Sequence, residues 1–454
     1  MCASRATVAD AEALLRRHFG YTALRAPQRR VLAAVLAGKD TLAVLPTGGG
    51  KSVCYQVPAL LLDGVTVVVS PLLSLMQDQV SAAERRGLPA ARIDSTMSRD
   101  QQAAVFAALG DGRVRLLYAS PERLERLAGD LSERRIPVAL FAVDEAHCVS
   151  EWGHDFRRSY RAIGLARSRL GWPQAIALTG SATPEVREDI IQVARLGRAG
   201  RPLHTELVSF DRPNLWFGVR TVRTEPERLE ALLGLLRDRP RAIVYAATRN
   251  TVEGITRALW YHGHRVVAYH AGLDKARRET ALQRFLADEV RVVAATCAFG
   301  MGIDAPDVRL VAHWCLPATP EAYYQEAGRA GRDGHRSHCV LLHRAGDAEI
   351  HHRQLDVTFP PVRLVERLWC HPAARQTVPA SVLASVDRLG AELGREPGAA
   401  GWAAIRARRK WAERRIRAME RYVATRSCRR QALIGWFGEQ LECCRGCDRC
   451  GGRG

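Results

Sequence analysis

The chain has 454 residues, 47% hydrophobic and 25% charged, a composition that excludes wholesale disorder; at that length about three domains fit. Its 67 Lys and Arg outnumber 48 Asp and Glu, giving +19, and such an excess points to a polyanionic partner, nucleic acid first. A genome that favours arginine codons would raise the charge as well, but +9 of it falls in residues 401–454, where fourteen Lys and Arg face five Asp and Glu, so a basic tail module is expected.

No secretory signal is expected, because Asp10 and Glu12 interrupt the first twenty residues. The apolar stretch from Val57 to Met76 is broken by Asp63-Gly64 and by Ser70-Pro71, and its middle is β-branched. It reads as helix end, turn and buried strand rather than as a membrane span. A soluble, cytoplasmic protein is expected.

Five short apolar runs, Thr41–Leu45, Val65–Val69, Arg115–Tyr118, Val138–Val143 and Ala175–Leu178, are predicted buried strands of a first unit. Arg241–Tyr245, Arg265–Tyr269, Val290–Ala294, Val308–His313 and Cys339–Leu342 are predicted strands of a second. Continuous apolar strands separated by helices predict an α/β fold of parallel sheets covered on both faces. Asp211-Arg212-Pro213-Asn214 is the expected hinge, and two such lobes imply a cleft. The expected divisions are 1–210 and 211–353 for the lobes, 354–401 for a helical insert or linker, and 402–454 for a basic helix with a metal module. That helix runs from Trp402 to about Arg426, with Trp402, Ile405, Ala412, Ile416, Met419 and Val423 as its apolar face.

Chemistry concentrates at strand ends. After the first strand comes Pro46-Thr47-Gly48-Gly49-Gly50-Lys51-Ser52, a phosphate-binding loop whose glycines let backbone N–H groups turn inward. Lys51 is expected to reach the β and γ phosphates of ATP, and Ser52 to ligate Mg²⁺. Leu45 stands where the eight-residue pattern begins with Gly. The strand Val138–Val143 ends in Asp144-Glu145-Ala146-His147, which supplies one carboxylate for Mg²⁺ and one to orient and deprotonate water. In the second unit, Arg329 and Arg332 lie three apart on an expected helical turn, share one face, and are candidate arginine fingers.

Eight of the twelve cysteines stand singly, whereas Cys443, Cys444, Cys447 and Cys450 crowd together. In a chain without a secretory signal such a cluster points to metal rather than disulfides. Cys443 duplicates the cluster's first position, and the uniform two-residue spacing favours Cys444.

Together these motifs resemble the RecQ family of superfamily 2 DNA helicases, from about Phe19 to Cys450. The resemblance implies two tandem RecA-like lobes followed by a mainly helical zinc-binding module. It implies that Tyr21 stacks on adenine while Arg25 and Gln28 bond its edge, and that Thr47 belongs to the nucleotide cradle. Ser70–Gln79 is similar to a motif on the DNA backbone, Gly180-Ser181-Ala182-Thr183 to one that couples ATP state to movement, and Ala295–Asp304 to one that touches both ligands. Cys148–Arg157 resembles an aromatic-rich loop that senses single-stranded DNA, with Trp152, His154, Phe156 and Arg157 as the contacts. Stacking suits such a role because every base has a π face. Glu151 departs from the family's usual Gln and adds a negative charge there, and Arg158-Ser159 departs from its Pro-Glu. Cys428-Arg429-Arg430-Gln431, Trp436-Phe437-Gly438-Glu439 and the cysteine cluster are similar to the family's zinc module, which implies structural Zn²⁺ on Cys428, Cys444, Cys447 and Cys450.

The implied activity is ATP-driven 3′→5′ movement on single-stranded DNA with unwinding of duplexes, in repair and recombination. Single-stranded and forked DNA are the expected partners, with a single-stranded-DNA-binding protein and recombination factors beside them, on a nucleoid-associated monomer. Only four residues follow Cys450, so a short form without winged-helix and helicase-and-RNase-D domains is expected. That keeps open a translocase or annealing factor without robust unwinding, and the DEAH signature, shared with RNA helicases, keeps open an RNA helicase.

Overall fold

The computed structural model describes residues 6–46, 48–71, 73–152, 157–198, 200–300, 305–394 and 398–451. Two compact units emerge, with the main division at Arg212/Pro213.

The first unit holds a seven-stranded parallel sheet of β1 (Asp40–Val44), β2 (Val65–Val69), β3 (Ala90–Ile93), β4 (Leu116–Ala119), β5 (Val138–Val143), β6 (Gln174–Thr179) and β7 (Leu203–Leu207), in the order β3-β4-β2-β5-β6-β1-β7. The central strands β1, β2, β4 and β6 are buried at every position, which is why they read as unbroken apolar runs. Asp40 at the head of β1 is fully buried against Arg167, whose Nη2 donates 2.8 Å bonds to both carboxylate oxygens. The other Arg167 nitrogens donate to the carbonyls of Pro173, Ala194 and Arg195, so the buried charge is saturated. The unit also takes in Phe437–Glu439, with Phe437 stacked on Phe210 at 4.3 Å and Glu439 accepting from the Phe210 N–H at 2.7 Å.

The second unit holds a six-stranded parallel sheet of β8 (Leu215–Val222), β9 (Ala242–Tyr245), β10 (Val266–Tyr269), β11 (Val292–Ala295), β12 (Leu310–His313) and β13 (Ser337–Arg344), ordered β10-β11-β9-β12-β13-β8. Three strands absent from the sequence expectation, β3, β7 and β8, are all sheet edges. Edge strands are buried on fewer sides, so their apolar pattern is interrupted: Leu203 and Leu207 of β7 are exposed, and β8 carries Gly218.

Beyond β13 the same unit is helical. Helices Glu349–Thr358, Val362–Cys370 and Ala380–Leu393 precede a long one, Ala399–Ala424, and the Pro360-Pro361 break separates the first two as expected. Val365, Leu368, Val386 and Leu389 form a small core with Trp402 and Ile405, and the rings of Trp369 and Trp402 stack at 5.7 Å. The long helix therefore belongs to two neighbourhoods. Its first turns close the insert's core, and Ile416, Met419 and Tyr422 are buried farther along. Ala412 and Val423, placed on the apolar face by periodicity, are half-buried.

Candidate functional site

In the first unit the carboxyl ends of β1, β5 and β6 bring the nucleotide motifs together, as expected where parallel strands feed helices. Gly48 and Gly50 take left-handed φ of 81° and 71°. A Cβ on Gly49 would lie 2.8 Å from the Pro46 carbonyl, and one on Gly50 would collide with Gln28, so the loop needs both glycines. Gln28 Nε2 donates to the carbonyls of Gly49 (3.1 Å) and Gly50 (3.2 Å), its Oε1 accepts from Arg25 N–H (2.9 Å), and Arg25 Nη1 donates to the Gly48 carbonyl at 2.5 Å. Both side chains implied to read the base edge thus also brace the phosphate loop. Tyr21 lies nearby in sequence and is 56% exposed. Thr47 falls outside the described residues.

Lys51 and Ser52 lead into the helix Val53–Gln56, and Gln79 Nε2 reaches Ser52 Oγ at 3.5 Å. Gln79 in turn accepts from Gln56, whose Nε2 also donates to Tyr118. Across the sheet, Asp144 follows β5 and Glu145 sits at φ 46°, a left-handed conformation that few non-glycine residues adopt and that often marks a working site. Burial, and then the neighbouring Glu145 carboxylate, push Asp144 up to about 7, against the pull of Lys51. A carboxylate and a serine hydroxyl are oxygen donors of the kind that fit a hard cation such as Mg²⁺. His147 Nδ1 lies 3.0 Å from Thr179 Oγ1 and 3.3 Å from Glu145 Oε2. Burial works against its protonation, but Cys148 and Glu145 outweigh it and hold its pKa at about 10. Thr179 Oγ1 donates to the Ser181 carbonyl at 3.1 Å, and Thr183 caps the helix Pro184–Val193. A continuous polar path therefore joins Glu145 to the Gly180–Thr183 segment.

Of the aromatic loop, Trp152 and Arg157 are described, while His154 and Phe156 lie outside the described residues. Trp152 is half-buried, its N–H donating to Ser150 Oγ at 3.2 Å. Arg157 Nη1 donates to the Pro71 carbonyl at 2.5 Å, tying this loop to the Ser70–Gln79 motif. Glu151 pairs with Arg161 at 3.0 Å, which neutralises the extra negative charge its presence adds. The Met301–Asp304 part of the second unit's motif lies outside the described residues.

In the second unit the helix Pro320–Ala327 ends before both candidate fingers. Arg329 and Arg332 stand on the turns that follow, and Gly331 between them takes φ 54°, so one helical face does not set their spacing. Glu326 on that helix meets His313 Nε2 at 2.9 Å. The His313 ring is buried, stacked at 5.4 Å on its cross-strand neighbour Tyr245 and edge-on to Tyr323 at 4.8 Å. Tyr323 OH and Tyr422 OH are 3.2 Å apart, so this network runs from the helix Pro320–Ala327 to the long basic helix. Sequence reading passed over His313 and Tyr245; their signal was a polar or phenolic residue closing an apolar strand in two successive sheet neighbours.

The sulfurs of Cys428, Cys444, Cys447 and Cys450 lie within 4.8 Å of one another, a set with the charge and softness that suit tetrahedral Zn²⁺. Cys443 is exposed and outside this group. Burial pushes the Cys447 thiol up, but the backbone groups of Arg429 and Arg449 pull it down to about 7; burial raises Cys444 and takes Cys450 to about 11. The cluster is sewn to the edge strand β8: Asp448 N–H donates to Phe217 O (3.0 Å) and Asp448 Oδ2 accepts from Val219 N–H (3.0 Å). Buried Arg429 donates to Asp448 Oδ1 at 2.8 Å, and buried Arg430 to the Leu215 carbonyl at 2.9 Å. The knuckle thereby covers an otherwise open sheet edge.

Two parallel-sheet units, a phosphate loop opposite an acidic strand end, and an arginine pair in the second unit define a superfamily 2 helicase motor. Residues 25–190 match the DEAD/DEAH box helicase family, 225–334 the helicase conserved C-terminal domain, and 399–451 the RecQ zinc-binding family. The chain is 40% identical over 339 residues to the probable ATP-dependent DNA helicase RecS of Bacillus subtilis, covering 74% of this chain and 67% of that protein. It is 35% identical over 439 residues to the ATP-dependent DNA helicase RecQ of Haemophilus influenzae, covering 96% of this chain and 63% of that one. The chain belongs to the RecQ family of ATP-dependent DNA helicases. Mycobacterium smegmatis helicase Lhr, solved with single-stranded DNA and AMP-PNP, shares the fold at 22% identity and a TM-score of 0.55, over 83% of this chain and 55% of that one. Among the described residues, no helix is long and apolar enough to cross a membrane.

Proposed function

We propose that the chain couples ATP hydrolysis to 3′→5′ movement along single-stranded DNA and unwinds forked or tailed duplexes, in repair and recombination. The observation that carries the reading is the polar path from Glu145 through His147 and Thr179 to Ser181, because it links the hydrolytic carboxylate to the segment expected to couple nucleotide state to movement. In this reading Lys51 and the loop N–H groups hold the β and γ phosphates, Glu145 takes the proton of the attacking water, and Arg329 and Arg332 meet charge on the departing γ phosphate. Ser52 and Asp144 would hold Mg²⁺, which screens phosphate charge. Tyr21 takes the adenine ring, and Trp152 and Arg157 take a base and a phosphate. Cys428, Cys444, Cys447 and Cys450 hold Zn²⁺ as a structural clamp on β8.

Assignment of the substrate rests on relatives of which this chain spans 56–67% of the length in three bacterial cases. ATPase rates with single-stranded DNA, forked duplex and RNA at equal nucleotide concentration test it. Stimulation by single-stranded DNA well above that by RNA is expected. Stimulation by RNA alone would make the chain an RNA helicase, and none by either would remove the motor reading.

A further inference from the structure

The second unit carries an aromatic and cationic patch beside its edge strand β10. Trp260 and Tyr261, the last two residues of the helix Arg249–Tyr261, are 73% and 82% exposed. His262 follows, exposed and edge-on to Tyr261 at 5.5 Å. The turn is fixed rather than loose: Gly263 takes φ 77°, its N–H donates to the Trp260 carbonyl at 2.9 Å, and His264 N–H donates to the Leu259 carbonyl at 3.0 Å. The aromatic rings are therefore held out on a set platform.

Cations surround them. Arg257 is exposed one turn back on the same helix, and Arg265 is exposed just before the edge strand β10. Arg291 N–H donates to the Arg265 carbonyl, and Arg291 Nη1 reaches the Arg239 carbonyl at 3.4 Å, so Arg239, Arg265 and Arg291 lie side by side at the strand starts. Arg291 is paired with Asp288, but among the described residues Arg239, Arg257 and Arg265 make no ion pair. Burial, and after it the neighbouring Arg239 and His262, hold His264 below its ordinary value. Tyr245 and Thr296 sit instead at or just beyond the carboxyl ends of β9 and β11, whereas Arg239, Arg265 and Arg291 stand at the strand starts.

We propose that this patch is a second contact for single-stranded DNA, with bases stacked on Trp260 and Tyr261 and phosphates met by Arg239, Arg257 and Arg265. Two adjacent exposed rings are costly to hydrate, and a cationic rim of unpaired arginines complements a polyanion that also offers π faces. The inference rests on the DNA-motor reading for the identity of the ligand.

Binding of fluorescent oligothymidylates of about 10 and about 40 nucleotides, lengths chosen to fit one short site or two, tests it on the full chain. Trp260→Ala/Tyr261→Ala is expected to bind the long strand about tenfold more weakly while leaving the short one unchanged, since stacking contributes about 1–3 kcal/mol per base. ATPase stimulated by the short strand is expected to stay the same, which reports folding and motor function separately. Trp260→Phe/Tyr261→Phe should keep the long-strand affinity, and Arg257→Glu/Arg265→Glu should lose it. Unchanged long-strand affinity in the alanine variant overturns the proposal, as does an equal loss at both lengths. Loss of poly-glutamate binding with DNA binding intact would make the patch a protein-docking surface and overturn it too. Failure of the unaltered chain to respond to any single strand would instead overturn the motor reading.

Discussion

Asp144 shows how much one side chain's surroundings decide. Its carboxyl is buried next to Glu145 and reaches about 7 in the folded chain, against about 3.9 for a free aspartate. The folded state then holds the extra proton between these values, so stability is present at low pH and is lost as pH rises through about 7. Asp144→Asn removes that loss. Without nucleotide or divalent cation, its melting temperature at pH 8 is expected to exceed that of the unaltered chain by about 2–4 °C, with a flatter profile between pH 5 and 8; a calorimetric pH series checks this, and ATPase activity is lost. Trp152 belongs to the same scale. Trp152→Ala is expected to leave basal hydrolysis near normal and remove stimulation by single-stranded DNA; retained stimulation would mean that another residue senses the strand. The residue types at these positions were legible because chemistry needs them at strand ends. Their partners were not: the bonds from Gln28 and Arg25 to the loop carbonyls, and the pairing of Glu151 with Arg161, depend on how separate elements fold against one another.

At the scale of elements, apolar strands buried on both faces announced themselves, and three of the four sheet edges did not. β3, β7 and β8 owe their place to backbone pairing with one neighbour rather than to a full apolar surface. The finger turn taught a similar lesson. Spacing alone suggested a helix under Arg329 and Arg332, but Gly328 closes the helix Pro320–Ala327 and Gly331 adopts a conformation that helix does not allow. The pairing of Asp40 with Arg167 ties the head of β1 to the helix Ile163–Arg169 and to the turns that carry Pro173, Ala194 and Arg195. Removing one partner strands the other charge in the interior. Arg167→Met is expected to destabilise the fold by about 3–5 kcal/mol, read by urea unfolding; a change under about 1 kcal/mol would show that water reaches Asp40.

For the molecule as a whole, the cysteine cluster, the long basic helix and β8 form one structural argument. Asp448 and the two buried arginines join the cluster to the sheet edge, and Tyr422 meets Tyr323 on the helix that precedes the arginine turn. Apart from Phe437–Glu439, the tail is therefore built into the second unit's fold, which its basic composition alone did not reveal. Its excess charge was legible; the role of its buried half as scaffold was not. A motor assembled this way should convert hydrolysis into directional strand separation, and direction is what no local contact specifies. The most direct measurement is unwinding of one duplex bearing either a 3′ or a 5′ single-stranded tail, with ATP and Mg²⁺. Release of the strand from the 3′-tailed duplex alone, abolished by Lys51→Ala, is the expected result. ATP hydrolysis with no strand release from either, or release from the 5′-tailed duplex alone, would contradict the account.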